Sequence, residues 1–171
     1  MPASPRTIVI IDATSGSLPI LARAVADLAP AEAAQIKVIA RASSDLFDEK
    51  RIAAIADLVR GADALILLPH GGPESIPGAD RLAAAAAGRL IHVQAGAMSP
   101  DEVDMARRLG TDVGSDAHAL RSDYLSRGGA ANLRGLLVTV ARQTGAELPA
   151  PPPPETLPIE GIHHPQWTGG L

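Results

Sequence analysis

Two stretches of this 171-residue chain carry groups suited to holding a small ligand. Asp12-Ala13-Thr14-Ser15-Gly16-Ser17 supplies a carboxylate, three hydroxyls and a glycine, and Pro69-His70-Gly71-Gly72-Pro73-Glu74 supplies an imidazole, two glycines and a second carboxylate. A turn that opens a helix leaves backbone N–H groups free at the positive end of the helix dipole, which favours an anion there. Ser15-Gly16-Ser17 therefore reads either as an anion cradle or as a plain turn from strand to helix. A Walker loop would need a lysine beside its last serine or threonine, and a dinucleotide fingerprint would need G-x-G-x-x-G; neither is present. His70 can serve as a group titrating near neutral pH, as a metal ligand, or as a histidine bonded within its own loop.

The other histidines assemble no metal site by spacing. His92 alternates within a strand, His118 has no histidine partner at i,i+4, and His163 and His164 are neighbours whose side chains diverge in an extended segment. No G-x-S-x-G elbow announces a serine hydrolase, so no catalytic residue is assigned. The hydroxyl-rich loop over Thr14 to Ser17 is similar to the phosphate loop of flavodoxins, but no aromatic residue is placed to sandwich a flavin ring. A stand-alone flavodoxin-like cofactor-binding domain, with flavin as its ligand, or a protein-interaction domain whose crevice holds nothing, is the runner-up expectation.

These loops must be held by regular elements. Thr7-Ile8-Val9-Ile10-Ile11 reads as a strand buried on both faces, and Ile36 to Ala40, Ala64 to Leu68 and Leu90 to Gln94 are further short strand candidates. Between them, Leu18, Leu21, Val25 and Leu28 recur at helical spacing until Pro30, and Ile52, Ile55, Ala56 and Val59 do so within Asp48 to Arg60. Arg81 to Ala87 is a weaker helix. After the fourth strand, Ser99-Pro100-Asp101-Glu102 has the form of a capping box, followed by a helix with an expected Asp104–Arg108 pair and an end at Gly110. No fifth strand follows: Ser115 to Arg127 is a helix candidate, Gly128-Gly129 breaks it, and Leu133, Leu136, Leu137 and Val140 mark another helix ahead of Gly145.

Strands alternating with helices imply an α/β fold, an open four-stranded parallel sheet of flavodoxin-like or Rossmann-like type. The expected strand order is 2-1-3-4, with the extra C-terminal helices at one edge. Ligands on such sheets bind outside the carboxyl ends of the strands at the topological switch, here between the first and third strands. Asp12, Thr14, Ser15, Gly16, Ser17, His70, Gly71 and Gly72 are accordingly the candidate ligand-binding residues. The domain is expected over 1–147. Over 148–171, four consecutive prolines at Pro151 to Pro154 predict an extended linker.

Composition narrows the function. Fifteen basic against 19 acidic residues give a net charge of -4, the wrong sign for a protein that draws its affinity from neutralising phosphates, so nucleic acid is not an expected partner. No window reaches the roughly 18–20 apolar residues of a membrane span, and the start of the chain does not read as a secretory signal, so a cytoplasmic protein is expected. With no cysteine, disulfides and thiolate chemistry are impossible. With 32 alanines and a single Phe, Tyr and Trp, the core must be aliphatic and tightly packed.

The segment Tyr124-Leu125-Ser126-Arg127-Gly128-Gly129-Ala130-Ala131-Asn132-Leu133 resembles the helix-Gly-Gly-x-x-Asn-Leu-helix element near the start of the large subunit of cobaltochelatase, the CobN and magnesium-chelatase H family. Leu157-Pro158-Ile159-Glu160-Gly161-Ile162-His163-His164-Pro165 is similar to that family's Pro-Trp-Glu-Gly-Ile-Tyr-His-Pro segment, with Ile159 in place of the tryptophan and His163 in place of the tyrosine. The resemblance implies the N-terminal module of a very large subunit that binds a tetrapyrrole and the metal ion to be inserted, while separate AAA-type subunits hydrolyse ATP. It also implies that the body performing insertion lies outside these residues, that this chain holds no cofactor of its own, and that ATP and the divalent ion are used by the complete complex. Glu160, His163 and His164 are then candidates for docking on a following domain; the alternative is a solvated tail.

Overall fold

The computed structural model describes residues 4–70, 72–94 and 100–156. Strands β1 (Arg6–Asp12), β2 (Ile36–Ala42), β3 (Ala64–Leu68) and β4 (Leu90–Val93) form one open sheet, all parallel, in the order β2-β1-β3-β4. This is the architecture expected from the alternating pattern. Ile10 lies opposite Ala40 on one side and Ile66 on the other, and Ile66 lies opposite His92, so β1 and β3 are flanked by strands on both sides. Seven α-helices accompany the sheet among the described residues: α1 (Leu18–Ala26), α2 (Pro30–Ala33), α3 (Glu49–Arg60), α4 (Ala79–Ala85), α5 (Pro100–Arg108), α6 (Asp116–Arg127) and α7 (Gly129–Gln143).

Period-two alternation sends the strand side chains to two cores. Val9, Ile11, Leu65, Leu67, Ile91 and Val93 pack with Ile52, Ile55, Ala56 and Val59 of α3, Leu82 of α4 and Met105 and Ala106 of α5. Ile8, Ile10, Ala64 and Ile66 pack on the opposite face with Leu21 and Ala24 of α1, Tyr124 of α6 and Leu133, Leu136, Leu137 and Val140 of α7, so the last two helices cover a face of the sheet over its central strands and do not sit at one edge as expected. The four apolar residues Ile8 to Ile11 are at most 2% exposed, and burying each such side chain contributes about 1.5–3 kcal/mol.

Several local details depart from the sequence reading. The pattern that stops before Pro30 resumes as the one-turn helix α2, whose Glu32 carboxylate accepts the Ala29 N–H at 2.9 Å. That carboxylate also takes a two-pronged bond from Arg134 of α7, at 2.8 and 2.7 Å. The expected Asp104–Arg108 pair is not made. Asp104 pairs with Arg107 at 3.2 Å, and Arg108 reaches across to Asp80 of α4, because a link between helices satisfies both carboxylates. The expected cap Ser99 lies outside the described residues. Asp48 caps α3 by accepting the Arg51 N–H at 2.7 Å.

The α6–α7 turn is built as the glycine pair suggests. Gly128 and Gly129 both have positive φ, 62° and 78°, which lets two helices meet at a sharp angle. Gly135 sits where α7 crosses Tyr124, and a Cβ there would come within 2.4 Å of the Tyr124 ring. The chain leaving α7 keeps Leu148 in the core and then runs through Pro149–Thr156 against α6 and α7. Among the described residues no helix is long and apolar enough to cross a membrane.

Candidate functional site

At the carboxyl ends of β1 and β3 the structure forms an open cleft of about 270 Å³, lined by Asp12, Thr14, Ser17, Leu68, Pro69, His70, Gln94, Leu125 and Ser126. The switch point thus brings together four of the residues singled out from the sequence. Ser15 and Gly16 lie in the same turn, Ser15 with φ 61°. Gly72 has φ 144° and accepts the Ser75 hydroxyl on its carbonyl at 2.7 Å; the same hydroxyl oxygen accepts the His70 N–H at 3.0 Å, which braces the second loop. The His70 side chain is exposed. Gly71, Glu160, His163 and His164 lie outside the described residues.

The first loop folds around its own carboxylate. Asp12 is 3% exposed. Its Oδ1 accepts the Thr14 N–H at 3.0 Å and the Thr14 hydroxyl at 3.2 Å, and its Oδ2 accepts the Ser17 N–H at 2.8 Å. Thr14 Oγ1 in turn accepts the Gly16 N–H at 3.2 Å. The backbone donors that make a helix N-terminus attractive to anions are thus directed at groups within the loop, one of them already negative. A phosphate entering here would have to displace or neutralise Asp12.

Gln94 and Ser126, which the sequence reading did not single out, form the wall away from β1. Gln94 follows the last residue of β4, so the strand-end rule that found Asp12 and His70 could have found it; Ser126 lies on α6 and only the helix packing places it. Gln94 Nε2 donates to Ser126 Oγ at 2.9 Å and to the Ser122 carbonyl at 3.2 Å. Its Oε1 lies 3.2 Å from Nε2 of His92, a ring that is wholly buried on the α6 side of the sheet. On the other side of that ring, Arg121 Nε donates to Nδ1 at 3.2 Å. Because Nδ1 accepts, the proton of the neutral ring sits on Nε2 and is donated to Gln94.

Arg121 is 2% exposed, yet it carries a full charge. It also donates to Gln143 at 2.7 Å and pairs with Asp112, which borders a second pocket at the outer edge of β4. Burial, reinforced by the Arg121 cation, pushes His92 down to about 4. The His118 ring, 5.2 Å from that of His92, is lowered too, chiefly by burial. Burial pulls the Asp112 carboxyl upward, but the Ser115 hydroxyl and the Arg121 charge together bring it below its ordinary range. His92, read from the sequence as structural, is the centre of a polarised chain of bonds that ends in the cleft wall. No three His, Asp or Glu residues gather as metal ligands among the described residues.

The fold resembles a segment of a cobaltochelatase subunit. The similarity is to the catalytic subunit of cobaltochelatase from Mycobacterium tuberculosis, with a TM-score of 0.60 over 90% of this chain and 19% sequence identity. This chain spans 12% of the length of that one. At such identity the likeness establishes the fold, and function has to be argued from the site. No protein-family model and no curated protein matches the sequence.

The residues of the Tyr124–Leu133 motif have distinct places in the structure. Tyr124 packs under Gly135 and donates its hydroxyl to the Pro152 carbonyl. Asn132 bonds locally, as its position in the first turn of α7 suggests, donating to the Gly128 carbonyl at 2.8 Å. The same amide also binds Glu155 in both directions, donating to its carbonyl and accepting its N–H, each at 2.8 Å. The motif is thus the hinge of two helices and the seat of the proline-rich segment together.

Proposed function

We propose that this chain is the N-terminal module of the large, tetrapyrrole-binding subunit of an ATP-dependent metal chelatase, with cobalt insertion in cobalamin biosynthesis favoured and magnesium insertion the alternative. The observation that carries this reading is the likeness of fold to the cobaltochelatase catalytic subunit across nine-tenths of the chain. The Tyr124–Leu133 motif supports it, because its residues form a contiguous unit at the α6–α7 junction. In this reading the module is not catalytic alone. The remainder of the large subunit contacts it, the metal ion and tetrapyrrole are substrates of the complete cytoplasmic complex, and AAA-type subunits supply ATP hydrolysis.

The test is to mix the purified chain with a chelatase large-subunit body lacking this region and to follow association by sedimentation and tetrapyrrole binding by fluorescence quenching. Association with a changed tetrapyrrole affinity is expected. Neither association nor a change in affinity would overturn the proposal. A second reading, a stand-alone flavodoxin-like cofactor protein, draws on the cleft at the switch point. It requires the flavin phosphate to compete with Asp12 for the loop N–H groups, and uptake of flavin mononucleotide by the purified chain would favour it over the first.

A further inference from the structure

The segment Pro149–Thr156 does not leave the domain where α7 ends. The end of α7 lies at the amino end of the sheet: Arg6, the first residue of β1, donates to the Gly145 carbonyl at 3.2 Å, and Gln35, just ahead of β2, exchanges bonds with the Glu147 backbone at 3.2 and 3.0 Å. From there the chain turns back. Pro152 meets Tyr124, Glu155 meets Asn132 at the start of α7, and Thr156 accepts from Arg127, the neighbour of the cleft residue Ser126. Eight steps of extended chain from Leu148 to Thr156 cover about 25 Å at roughly 3.1 Å each, and a 15-residue helix such as α7 is about 22 Å long. The segment therefore retraces the helix from the amino end of the sheet to the cleft end.

Apart from the Arg127 bond to the Thr156 hydroxyl, the hydrogen bonds that hold it read backbone. Asn132 binds the N–H and carbonyl of Glu155, and Tyr124 binds the carbonyl of Pro152. The prolines lie over a small gap of about 90 Å³ bordered by Ala131, Arg134 and Gly135. An aromatic hydroxyl and a side-chain amide bonding to the carbonyls of a stiff proline-rich chain are the means by which grooves recognise polyproline II segments, since such a chain loses little entropy on docking.

We propose that the α6–α7 groove is a recognition site for an extended proline-rich segment, filled in cis by Pro149–Thr156, and that this docking holds Thr156 at the cleft end of the domain, beside Arg127. The groove is a cis interaction surface and the segment a strap. The strap does not depend on the chelatase reading.

The sequence has no cysteine, so Glu155→Cys gives a single attachment point for a nitroxide, and the exposed Glu155 side chain makes none of the bonds that its backbone makes. In the full chain, paramagnetic broadening is expected to be strongest at residues 125–130 and in the Asp12–Ser17 loop, and weakest at Gln35, Gly61 and Gly145. Adding Asn132→Ala should recover at least half of the lost intensity at 125–130. Broadening centred on the amino end of the sheet, or an Asn132→Ala variant with unchanged broadening, would overturn the proposal. Because Asn132→Ala also alters the start of α7, Glu155→Pro serves as a second variant. It suits an extended segment, leaves the helices untouched and deletes the N–H that Asn132 accepts. Faster proteolysis of this variant within 144–156, with an unchanged helical circular dichroism spectrum, is expected; unchanged proteolysis would count against the strap. Neither measurement involves a chelatase, so the strap can fail while the functional reading stands, and the reverse.

Discussion

Arg121 Nε donates to His92 Nδ1 across 3.2 Å in the interior of the domain, so the imidazole, kept neutral chiefly by its burial, carries its proton on Nε2. A protonated ring would have no lone pair for Arg121 and would set two cations side by side. His92 sits near pKa 4 in the folded chain against about 6.5 unfolded, so between those values the unfolded state binds more protons and stability rises with pH. The contribution is complete above about 6.5 and is lost as pH falls toward 4. It amounts to about 3 kcal/mol. The lowered values of His118 and Asp112 act in the same sense. Urea unfolding at pH 7 and pH 4.5 should show this loss, and His92→Gln should flatten the His92 share of it; an equal slope in the variant would exclude His92 as the source.

Replacing Arg121 by methionine removes the charge that helps depress His92 and leaves Nδ1 without its donor. Losing the partner of buried polar groups costs about 1–3 kcal/mol. The His92 ring, observed by nuclear magnetic resonance titration, should then protonate at a higher pH than in the parent chain. A destabilised variant whose His92 titrates as before would mean that burial alone sets the value.

Gly135→Ala tests the close crossing of α6 and α7. At an open helical position this change stabilises by roughly 1 kcal/mol. Here the new Cβ would lie 2.4 Å from Tyr124 Cε1, and overpacking of that kind costs about 1–3 kcal/mol. The expected sign is therefore destabilising, measured by chemical denaturation, with a changed near-ultraviolet signal from the single tyrosine.

Asp12→Ala removes the acceptor of three hydrogen bonds in the loop ahead of α1. By analogy with the loss of a helix-capping side chain, about 1–2 kcal/mol of stability should go with it. The freed Thr14 and Ser17 N–H groups should also give the variant a phosphate affinity exceeding that of the parent chain, read from chemical-shift changes of those amides on titration with inorganic phosphate. No gain in affinity would mean that Asp12 is not what closes the loop to anions.

Arg134→Lys keeps the charge beside Glu32 but cannot make the paired bonds at 2.8 and 2.7 Å. Because the Glu32 side chain is only 9% exposed, a loss of about 1–2 kcal/mol is expected. Thermal unfolding checks it, and an unchanged midpoint would show that α2 is held to α7 by packing alone.

The parallel sheet was legible in the chain because its determinants are local. Five β-branched or apolar residues in a row at Thr7 to Ile11 must be buried on both faces, and helices between such runs force parallel strands with crossovers. The convergence of Asp12 and His70 at the switch point followed from the same topology. Gly128 and Gly129 announced the α6–α7 turn, since positive φ is a property of the residue itself.

What the tertiary structure decided are the pairings between residues far apart in sequence. Arg121 lies 29 positions from His92 and Arg134 lies 102 from Glu32, and nothing in local spacing selects such partners. Arg108 could satisfy its charge with Asp104 in the next turn, but the packing of α5 beside α4 offered Asp80. Composition marked Pro149–Thr156 as extended, a property of the proline ring; whether an extended segment hangs free or lies down depends on a groove, and only the close approach of Tyr124, Gly135 and Asn132 supplies one.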